Sequence, residues 1–591
     1  MTWAQRRLAA IFLVFASVLA AAGCVSVPTT GPIDKVEEGQ QPPCCVNVEV
    51  RPPAPGAEPR QIVEGFLRAN NNYQPNYLVA RQFLTQMAAE KWSPEGGVSI
   101  YQGSLQATRD DTVNLSGRLV GSLGKDRTYR AEDRELNQNF GLKKDENGEW
   151  RIDTLPSGLW VDEFYFTRFY QTYDLYFVGN GTSLAPEPIY LPALSNPANV
   201  ASALMKALLR GPSEWFKPAV TSAIPPNTNL SVDSVTITDG IAEVSLSDSV
   251  LALPDPQRSL LAAQVVYTLR QVSGVESVLL KVNQQPYRVP GSDPNTLAIP
   301  VDAIAPDLDP IPVVTGDELY AVDAGAVKRV TTTSESPTLT KVSGTLGGGG
   351  FPIDALAVSG ASSDIVLRTD DRTTLRRAPL EPGEPTRAGE PTTLLSSVSN
   401  LLRPQFTRYG EIWDVGSEGG RQRIWVFTAD GKDFKIDPPV PPNRGVTAFK
   451  ISPDGTRMAM VHGSQLGVAR IIRSSDRILV NDWRPLDTTQ IVGPQIGMIR
   501  DVAWLNATEL LVLGAANANT AFAPFRVAMD ASRISAYGDP PSWDAHELAV
   551  LPRTQSAVVV GRVDEGNRTW KYDGNQWLLF VENVSTIAYP G

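Results

Sequence analysis

The chain has 591 residues, of which 42% are apolar and 20% are charged, and its formal net charge is −11. This length predicts about three or four domains, and the composition is typical of globular proteins. The acidic balance argues against nucleic acid as a partner, because phosphate binding needs an excess of Lys and Arg. Two histidines and three cysteines disfavour a His-ligated metal cluster and a disulfide scaffold. We therefore expect no cofactor, no metal site and no catalytic residue.

Residues 1–23 are predicted to be a bacterial secretion signal. Two arginines precede an uncharged apolar run over residues 8–22, which is shorter than the roughly 20 residues of a membrane-spanning helix. The run ends in small residues directly before Cys24, a pattern that resembles the bacterial lipobox, although Ala21 stands where leucine is commonest. The resemblance implies cleavage between Gly23 and Cys24 and lipidation of Cys24. The alternative is ordinary cleavage after the Ala-rich stretch.

Lipidation of Cys24 decides the predicted localisation. Each buried methylene contributes about 0.8 kcal/mol, so one chain binds a membrane only marginally and several chains hold it firmly. We expect a palmitate-type lipid anchor that fixes the protein to the cell membrane on its extracytoplasmic face. Residues 24–59 are rich in proline and predict an extended tether. Within it, Cys44 and Cys45 could form a vicinal disulfide, remain thiols or pair with another molecule.

The first folded part is predicted over residues 60–172 as a small α+β domain. Apolar spacing predicts one helix around residues 62–67 and a second amphipathic helix around residues 77–87. Strand-like segments follow, and the Asn147-Gly148 pair is a strong hairpin turn. The closing pattern Phe-x-Leu…Gly-x-Trp-Arg-Ile is similar to the last hairpin of nuclear-transport-factor-2-like domains. Trp150 and Trp160 are interpreted as core residues.

The second part is predicted over residues 173–295. It alternates strands with two helices, and the first helix ends at Arg210-Gly211-Pro212, a strong stop signal. Asp239-Gly240 predicts a turn between a strand with alternating apolar residues over 232–237 and a strand that begins with Ile241. These motifs, together with Ile224-Pro225 and Gln264-Val265-Val266-Tyr267, resemble the GerM domain of sporulation and germination proteins. The resemblance implies an α+β fold and carries over no catalytic residue.

The third part, residues 310–591 after a linker over 296–309, is predicted to be all strand and turn. Short apolar pieces recur with second apolar positions at 358, 406, 451, 504, 550 and 588. A strand repeat of about 40–50 residues is the signature of a β-propeller. Six blades are predicted, or seven if a degenerate blade lies within 460–498. We expect residues 584–589 to close the ring against residues 317–333, because closure removes exposed sheet edges.

The best repeat copy is Ile451-Ser452-Pro453-Asp454-Gly455, which is similar to the Ser-Pro-Asp-Gly motif of TolB-like propellers. The order of signal, small domain, GerM-like domain and propeller resembles the LpqB family of actinobacterial lipoproteins. That resemblance implies an accessory protein outside the cytoplasmic membrane. It also implies contact with the extracellular sensor domain of the MtrB histidine kinase, and thereby an influence on signalling through the MtrA response regulator.

Enzymatic activity is not predicted, because the sequence has no G-x-S-x-G, C-x-x-C or H-E-x-x-H motif. The run Gly347–Gly350 lacks the Lys-Ser/Thr of a phosphate loop and is interpreted as a flexible connection. Asp307 and Asp309 are interpreted as linker residues rather than cation ligands. His462 and His546 are interpreted as packing or surface residues.

Two functions remain open at this point. One is a lipid-anchored regulator that binds a membrane sensor kinase. The other is an envelope binding module that recognises peptidoglycan or another wall polymer through the propeller mouth. Exposed aromatic residues around the mouth would favour glycan stacking, whereas a dry apolar patch with a polar rim would favour a protein partner. The candidate aromatic residues, which we expect to be buried, are Trp413, Trp425, Trp504, Trp543 and Trp570.

Overall fold

The structure is a computed structural model that describes residues 50–591 except 72, 110, 181–182, 304, 332–336, 382–385, 490–492, 539–543 and 564–565. The chain from residue 49 onward forms one compact unit. The predicted signal, Gly23 and Cys24, most of the tether with Cys44 and Cys45, and Trp543 lie outside the described residues. Among the residues that are described, no helix is both long enough and apolar enough to cross a membrane.

The N-terminal domain packs helices against a sheet that has five strands in the described residues, in the order β4-β3-β2-β1-β5. Strands β1 and β5 run parallel, and the other neighbours run antiparallel. Apolar side chains of the first helix, such as Phe66, are buried against this sheet. The elements are α1 (Pro59–Asn71), α2 (Leu78–Arg81), α3 (Gln86–Lys91), β1 (Val98–Arg109), β2 (Thr112–Leu123), β3 (Tyr129–Lys144), β4 (Trp150–Thr154), β5 (Leu159–Asp162) and α4 (Glu163–Phe169).

The prediction of one helix around residues 77–87 is wrong. Strand β4 interrupts it, because Ile152 donates its N–H to the carbonyl of Phe83 at 2.9 Å and accepts from the N–H of Thr85 at 2.9 Å. The Thr85 hydroxyl then accepts a hydrogen bond from the N–H of Ala88 and caps α3. Leu84, which bridges to Ile152, is therefore held against the sheet, and the helix does not continue through it.

The GerM-like domain has two small sheets, β7-β6-β8 and β12-β11-β10-β9, and β13 pairs with β11. Strands β10 and β11 are parallel, and the helix between them makes the crossover that parallel strands require. The elements are β6 (Tyr170–Gly179), β7 (Ser183–Pro192), α5 (Pro197–Arg210), β8 (Val220–Thr221), β9 (Thr236–Thr238), β10 (Ile241–Leu246), α6 (Asp255–Leu269), β11 (Ser277–Val282), β12 (Gln285–Pro286) and β13 (Ile299–Pro300).

Local signals of this domain are reproduced in part. Helix α5 ends at the predicted stop, where Gly211 adopts a φ of +85°. The predicted Asp239-Gly240 turn is present with both residues at positive φ. The strand expected over 232–237 is only the three-residue β9, and Val232 is 38% exposed. Strand β7 was not predicted, although it is buried along almost its whole length.

The C-terminal region is a propeller in which six blades can be counted among the described residues. The strand order from the axis outward is β38-β14-β15-β16, β17-β18-β19 with β20 and β21, β22 to β25, β26 to β29, β30 to β33 and β34 to β37. We number these blades 1 to 6 in that order. Blade 4 contains all the strands between residues 446 and 485, so the described residues of 460–498 form no seventh blade.

The propeller strands have the following bounds. Blades 1 and 2 contain β14 (Leu319–Asp323), β15 (Ala326–Thr331), β16 (Thr338–Lys341), β17 (Ile353–Val358), β18 (Asp364–Thr369), β19 (Leu375–Glu381), β20 (Arg387–Ala388) and β21 (Thr392–Leu395). Blades 3 and 4 contain β22 (Gln405–Phe406), β23 (Ile412–Glu418), β24 (Arg421–Phe427), β25 (Asp433–Ile436), β26 (Val446–Ile451), β27 (Arg457–His462), β28 (Gln465–Arg473) and β29 (Ile478–Pro485). Blades 5 and 6 and the closing strand contain β30 (Met498–Trp504), β31 (Glu509–Ala515), β32 (Ala523–Ala528), β33 (Ile534–Ala536), β34 (Asp544–Leu551), β35 (Ser556–Val563), β36 (Gly566–Tyr572), β37 (Trp577–Glu582) and β38 (Thr586–Ala588).

The ring closes as predicted. Strand β38 pairs antiparallel with β14, with Ile587 opposite Ala321. Met458 and Met460 are fully buried in an apolar cluster that joins blades 3 and 4. The last strand of the chain is therefore the innermost strand of blade 1, and the sheet edge it covers is not exposed.

Candidate functional site at the propeller mouth

The GerM-like domain and the propeller share one continuous apolar core. Buried side chains of α5, α6 and β6, such as Leu204 and Phe177, belong to the same cluster as side chains from blades 4 and 5. The blade members of this cluster include Val461, Val468, Ile496, Val502, Leu510 and Met529. Because burial of apolar area is the main stabilising term in domain packing, the two domains form a single body.

Arg457 fastens β7 to blade 4. Its side chain is fully buried, its guanidinium pairs with Asp454 at 3.1 Å, and it donates to the carbonyl oxygen of Pro186 in β7. The guanidinium carbon also lies 3.9 Å from the centre of the Phe216 ring. Asp454 accepts further hydrogen bonds from the neighbouring Ser452 and Thr456. Asp454 balances the charge of the buried guanidinium, and the bond from that guanidinium to Pro186 joins β7 to blade 4.

Tyr190 joins all three domains. Its backbone N–H donates to the carbonyl of Arg127 in the N-terminal domain at 3.0 Å. Its ring lies 5.5 Å from the Phe166 ring, and its hydroxyl donates to Asp530 of blade 5 at 2.9 Å. Burial raises the pKa of the Tyr190 hydroxyl, so this group donates in its neutral form.

The third anchor between the GerM-like domain and the propeller is Trp215 of the GerM-like domain. Its indole N–H donates to the carbonyl of Asp482 at 3.1 Å, and its own carbonyl accepts from Arg470 at 2.6 Å. Arg484 lies 4.7 Å from the ring centre. Tryptophan combines a large apolar surface with one donor, which suits a buried contact between domains.

Two buried carboxyl groups near the interface have raised pKa values. Burial raises the pKa of Asp174 on β6 to about 7, against the opposing charge of Arg457. Burial also raises the pKa of Glu187, although hydrogen bonds from Ser213 and the charge of Arg457 act in the other direction. The interface therefore contains groups whose protonation depends on pH.

A cavity of about 90 Å³ lies in the propeller channel, at the end where the innermost strands finish. The chain between β13 and β14, residues 301–318, connects the GerM-like domain to the propeller, and we call it the connection. It covers this mouth, and Ile311, Pro312 and Val314 contribute to the lining of the cavity. Arg408 of blade 3 donates to the carbonyl of Asp309 at 2.8 Å, and Arg553 of blade 6 donates to the carbonyl of Ile311. Two arginines on opposite sides thus hold the connection across the opening.

Deeper in the channel, four blades meet at Arg403. Its guanidinium pairs with Asp501 of blade 5 at 2.5 Å and with Glu547 of blade 6 at 3.0 Å. Glu547 also accepts from the hydroxyl of Thr586 in the closing strand at 2.8 Å. Burial would lower the pKa of Arg403, but these two carboxylates raise it. The arginine is therefore charged and supports ring closure.

Four of the five tryptophans weighed as glycan platforms lie in the described residues, and all four are buried. The exposed fractions of the described ones are 0% for Trp413, 4% for Trp425, 3% for Trp504 and 8% for Trp570. The Trp504 side chain lines the cavity and donates its N–H to the carbonyl of Lys450 at 3.1 Å. These residues pack within the propeller, as expected for strand aromatics.

The other singled-out residues have structural contacts. The carboxylate of Asp309 lies 3.6 Å from Arg553, and the ring of His462 lies 2.9 Å from the carbonyl of Pro441. The run Gly347–Gly350, interpreted above as a flexible connection, begins in a 3₁₀ turn over Thr345–Gly347. No group of three metal-ligating side chains is found in the part of the chain that the structure describes. Sequence reasoning missed Arg403, Lys450 and Arg457, although Arg457 directly follows the recognised Ser-Pro-Asp-Gly-Thr turn.

These features define a modular protein in which a GerM-like domain is packed against a six-bladed propeller. Family models agree with this class. "Lipoprotein LpqB, N-terminal domain" matches residues 52–167, "Sporulation and spore germination" matches 174–288, and "Lipoprotein LpqB beta-propeller domain" matches 325–588. Together the three models follow the order of the domains along the chain.

Relatives match over nearly the whole length. Lipoprotein LpqB of Cutibacterium acnes is 25% identical, with 96% of each chain covered. Lipoprotein LpqB of Thermobifida fusca is 24% identical, with 100% of this chain and 99% of the relative covered. The solved first GerMN domain of GerM from Bacillus subtilis is 21% identical over 23% of this chain and 96% of its own, with a TM-score of 0.17 that supports no inference. The chain belongs to the LpqB lipoprotein family.

Proposed function

We propose that the protein is a lipid-anchored accessory protein on the extracytoplasmic face of the cell membrane, where it binds the extracellular sensor domain of an MtrB-type histidine kinase. Membership of a family named for lipoproteins supports an anchor, and Cys24 is the residue proposed to carry it. None of the family models and relatives named above carries the name of an enzyme. The proposed role is to modulate signalling by a contact between proteins.

The observation that carries this proposal is the core shared by the GerM-like domain and blades 4 and 5. A body of fixed shape can bind one conformation of a sensor more tightly than another, and that difference in affinity shifts the sensor's equilibrium. A flexible string of domains would lose part of its binding free energy to ordering of the domains. The clamps at Arg457, Tyr190 and Trp215 remove that cost before the partner arrives.

Several places on the body expose large apolar side chains that a partner could cover, and two of them lie in different domains. Phe164 on α4 is 54% exposed, and Leu578 and Leu579 on the outermost strand of blade 6 are 46% and 53% exposed. Buried aromatic and aliphatic anchors supply most of the affinity in protein interfaces. Phe164→Ser and Leu579→Ser, which alter exposed positions, therefore test which domain contacts the sensor.

The binding experiment uses the full chain in detergent and the immobilised extracellular domain of the kinase, measured by biolayer interferometry. We expect saturable binding, and a loss of about tenfold or more in affinity for the variant on the contacting domain, which corresponds to one interface anchor. Binding to isolated peptidoglycan in place of the kinase domain would refute the proposal. The four described tryptophans weighed as glycan platforms are buried, as expected, so they give no support to the wall-polymer alternative.

The anchor is tested separately in cells. Cys24→Ser should move the protein from the membrane fraction to the culture fluid or the soluble extract, because no acyl chain can then be attached. The matched controls are Cys44→Ser and Cys45→Ser, which should remain with the membrane. If the Cys24 variant stays in the membrane fraction, the proposed anchor is wrong.

A further inference from the structure

The cavity under the connection, called the chamber below, is lined in part by positive side chains. Arg403, Arg408, Lys450 and Arg553 contribute to its lining, and among the described residues that line it there is no aspartate or glutamate. The roof is formed by backbone and apolar side chains of the connection, including Ile311 and Val314. A chamber with this lining favours a negatively charged group over a cation.

Three of the four positive groups are already engaged. Arg403 is paired with Asp501 and Glu547, and Arg553 lies 3.6 Å from the carboxylate of Asp309. Arg408 donates to backbone carbonyls of the connection. These groups shape the chamber and hold its roof, and they retain little capacity to bind a further ligand.

Lys450 is the exception. It lies on β26, the innermost strand of blade 4, and lines the chamber. Within the described part of the chain, no hydrogen bond or ion pair is formed by its ammonium. Burial lowers the pKa of this ammonium to about 8. The charge of Arg403 lowers this pKa further, whereas the charges of Asp501 and Glu547 raise it. Lys450 is half-buried, and an anion that reaches its unpaired ammonium would stabilise the charged form.

The size of the chamber limits what can bind. One water needs roughly 10–15 Å³ of such space, so about 90 Å³ holds several waters or a small anion. A strand or helix of a partner protein does not fit. Arg403, Arg408 and Arg553 are paired with groups of the protein. Among the described residues, Lys450 is therefore the one lining cation without a partner.

We propose that the propeller chamber binds a small molecule through a carboxylate or phosphate group that pairs with the Lys450 ammonium. The ligand lies between the connection and the Arg403 cluster, so it contacts both the GerM-like side and the propeller axis. This binding site is separate from the outer surfaces proposed to contact the kinase.

The test uses the full chain in detergent and two probes, inorganic phosphate and acetate, titrated by calorimetry against chloride at equal ionic strength. We expect saturable binding of at least one probe in the millimolar range, and the comparison shows which acid group is preferred. Lys450→Met should weaken binding by about tenfold or more, the effect of one charge-assisted hydrogen bond. Lys341→Met, which alters an exposed lysine on the outer strand β16, should bind like the wild type.

A second measurement does not depend on the methionine variant folding. Lysine amines are methylated with ¹³C, and the Lys450 signal is identified by its absence in Lys450→Arg. Its midpoint should lie near pH 8 without ligand and move to higher pH when phosphate or acetate is added, because the anion stabilises the charged amine. Absence of binding by both probes, equal binding by Lys450→Met, or an unmoved midpoint would each overturn the proposal.

Discussion

Replacement of Arg457 is the most direct test of how the GerM-like domain is held on the propeller. Arg457→Met keeps most of the side-chain volume but removes the pair with Asp454, the donor to Pro186 and the contact with the Phe216 ring. Breaking a buried pair by removing one partner costs about 3–5 kcal/mol. The carboxylate of Asp454 keeps its hydrogen bonds from Ser452 and Thr456, so we expect the lower end, about 3 kcal/mol.

The assay is amide hydrogen exchange read by mass spectrometry, because a multidomain protein has no single two-state unfolding free energy. Local opening that is easier by about 3 kcal/mol accelerates exchange by about 100-fold. We expect this acceleration in β7 and in the first turn of blade 4. The sheet of the N-terminal domain beyond the interface should exchange as in the wild type.

The matched control is Arg568→Met. Arg568 pairs with Glu582 at 2.9 Å, but both side chains are more than two-fifths exposed, and such surface pairs contribute only about 0–1 kcal/mol. Combining Arg457→Met with Asp454→Asn should recover part of the loss, because the buried carboxylate is then neutral. If exchange in β7 is no faster in Arg457→Met than in Arg568→Met, the clamp does not stabilise the interface.

Three further predictions follow from particular sites. The pKa of Asp174 is raised to about 7, so the free energy of unfolding should fall as pH rises from about 4 to 7. Asp174→Asn should abolish this fall. In denaturant titrations at pH 8 the variant should be more stable than the wild type by up to roughly 4 kcal/mol. Gly347→Ala should lower stability by about 1–3 kcal/mol because its Cβ would overlap a backbone carbonyl oxygen, whereas Gly348→Ala should melt like the wild type. Ile587→Asp, at a 2% exposed position, should open the ring and accelerate exchange in β14, whereas Leu578→Asp, at an exposed one, should not.

The sequence predicted the propeller well for a physical reason. Each blade repeats one pattern of strands and turns, so the same hydrophobic pattern occurs six times along the described chain and supports the same prediction each time. The closing strand was predictable because a truncated last repeat and an incomplete first one complete each other, as Ile587 opposite Ala321 shows. Turn signals such as Asp239-Gly240 were likewise local and were reproduced.

Long-range contacts were not predictable in the same way. The second helix of the N-terminal domain failed because Ile152, far along the chain, pairs with the segment that includes Phe83 and Thr85. Arg457, at the start of β27, and Arg403, in the loop before β22, were missed because an arginine is usually a solvated surface residue. Their role depends on partners in other blades or in another domain, and no periodic pattern records these partners.

Strand β7 shows what signal the sequence did contain. Pro186 and Pro188 lack a backbone N–H. The backbone groups of residues two apart in a strand point to the same side. The backbone nitrogen and carbonyl of both prolines therefore lie on the edge of β7 that faces away from its partner strand β6. The outer edge of β7 therefore offers carbonyl oxygens with few N–H donors, which discourages pairing with another strand. An arginine side chain supplies the missing donor, as Arg457 does for Pro186. Alternating prolines in an apolar run thus predict a strand whose outer edge docks against side-chain donors of another domain.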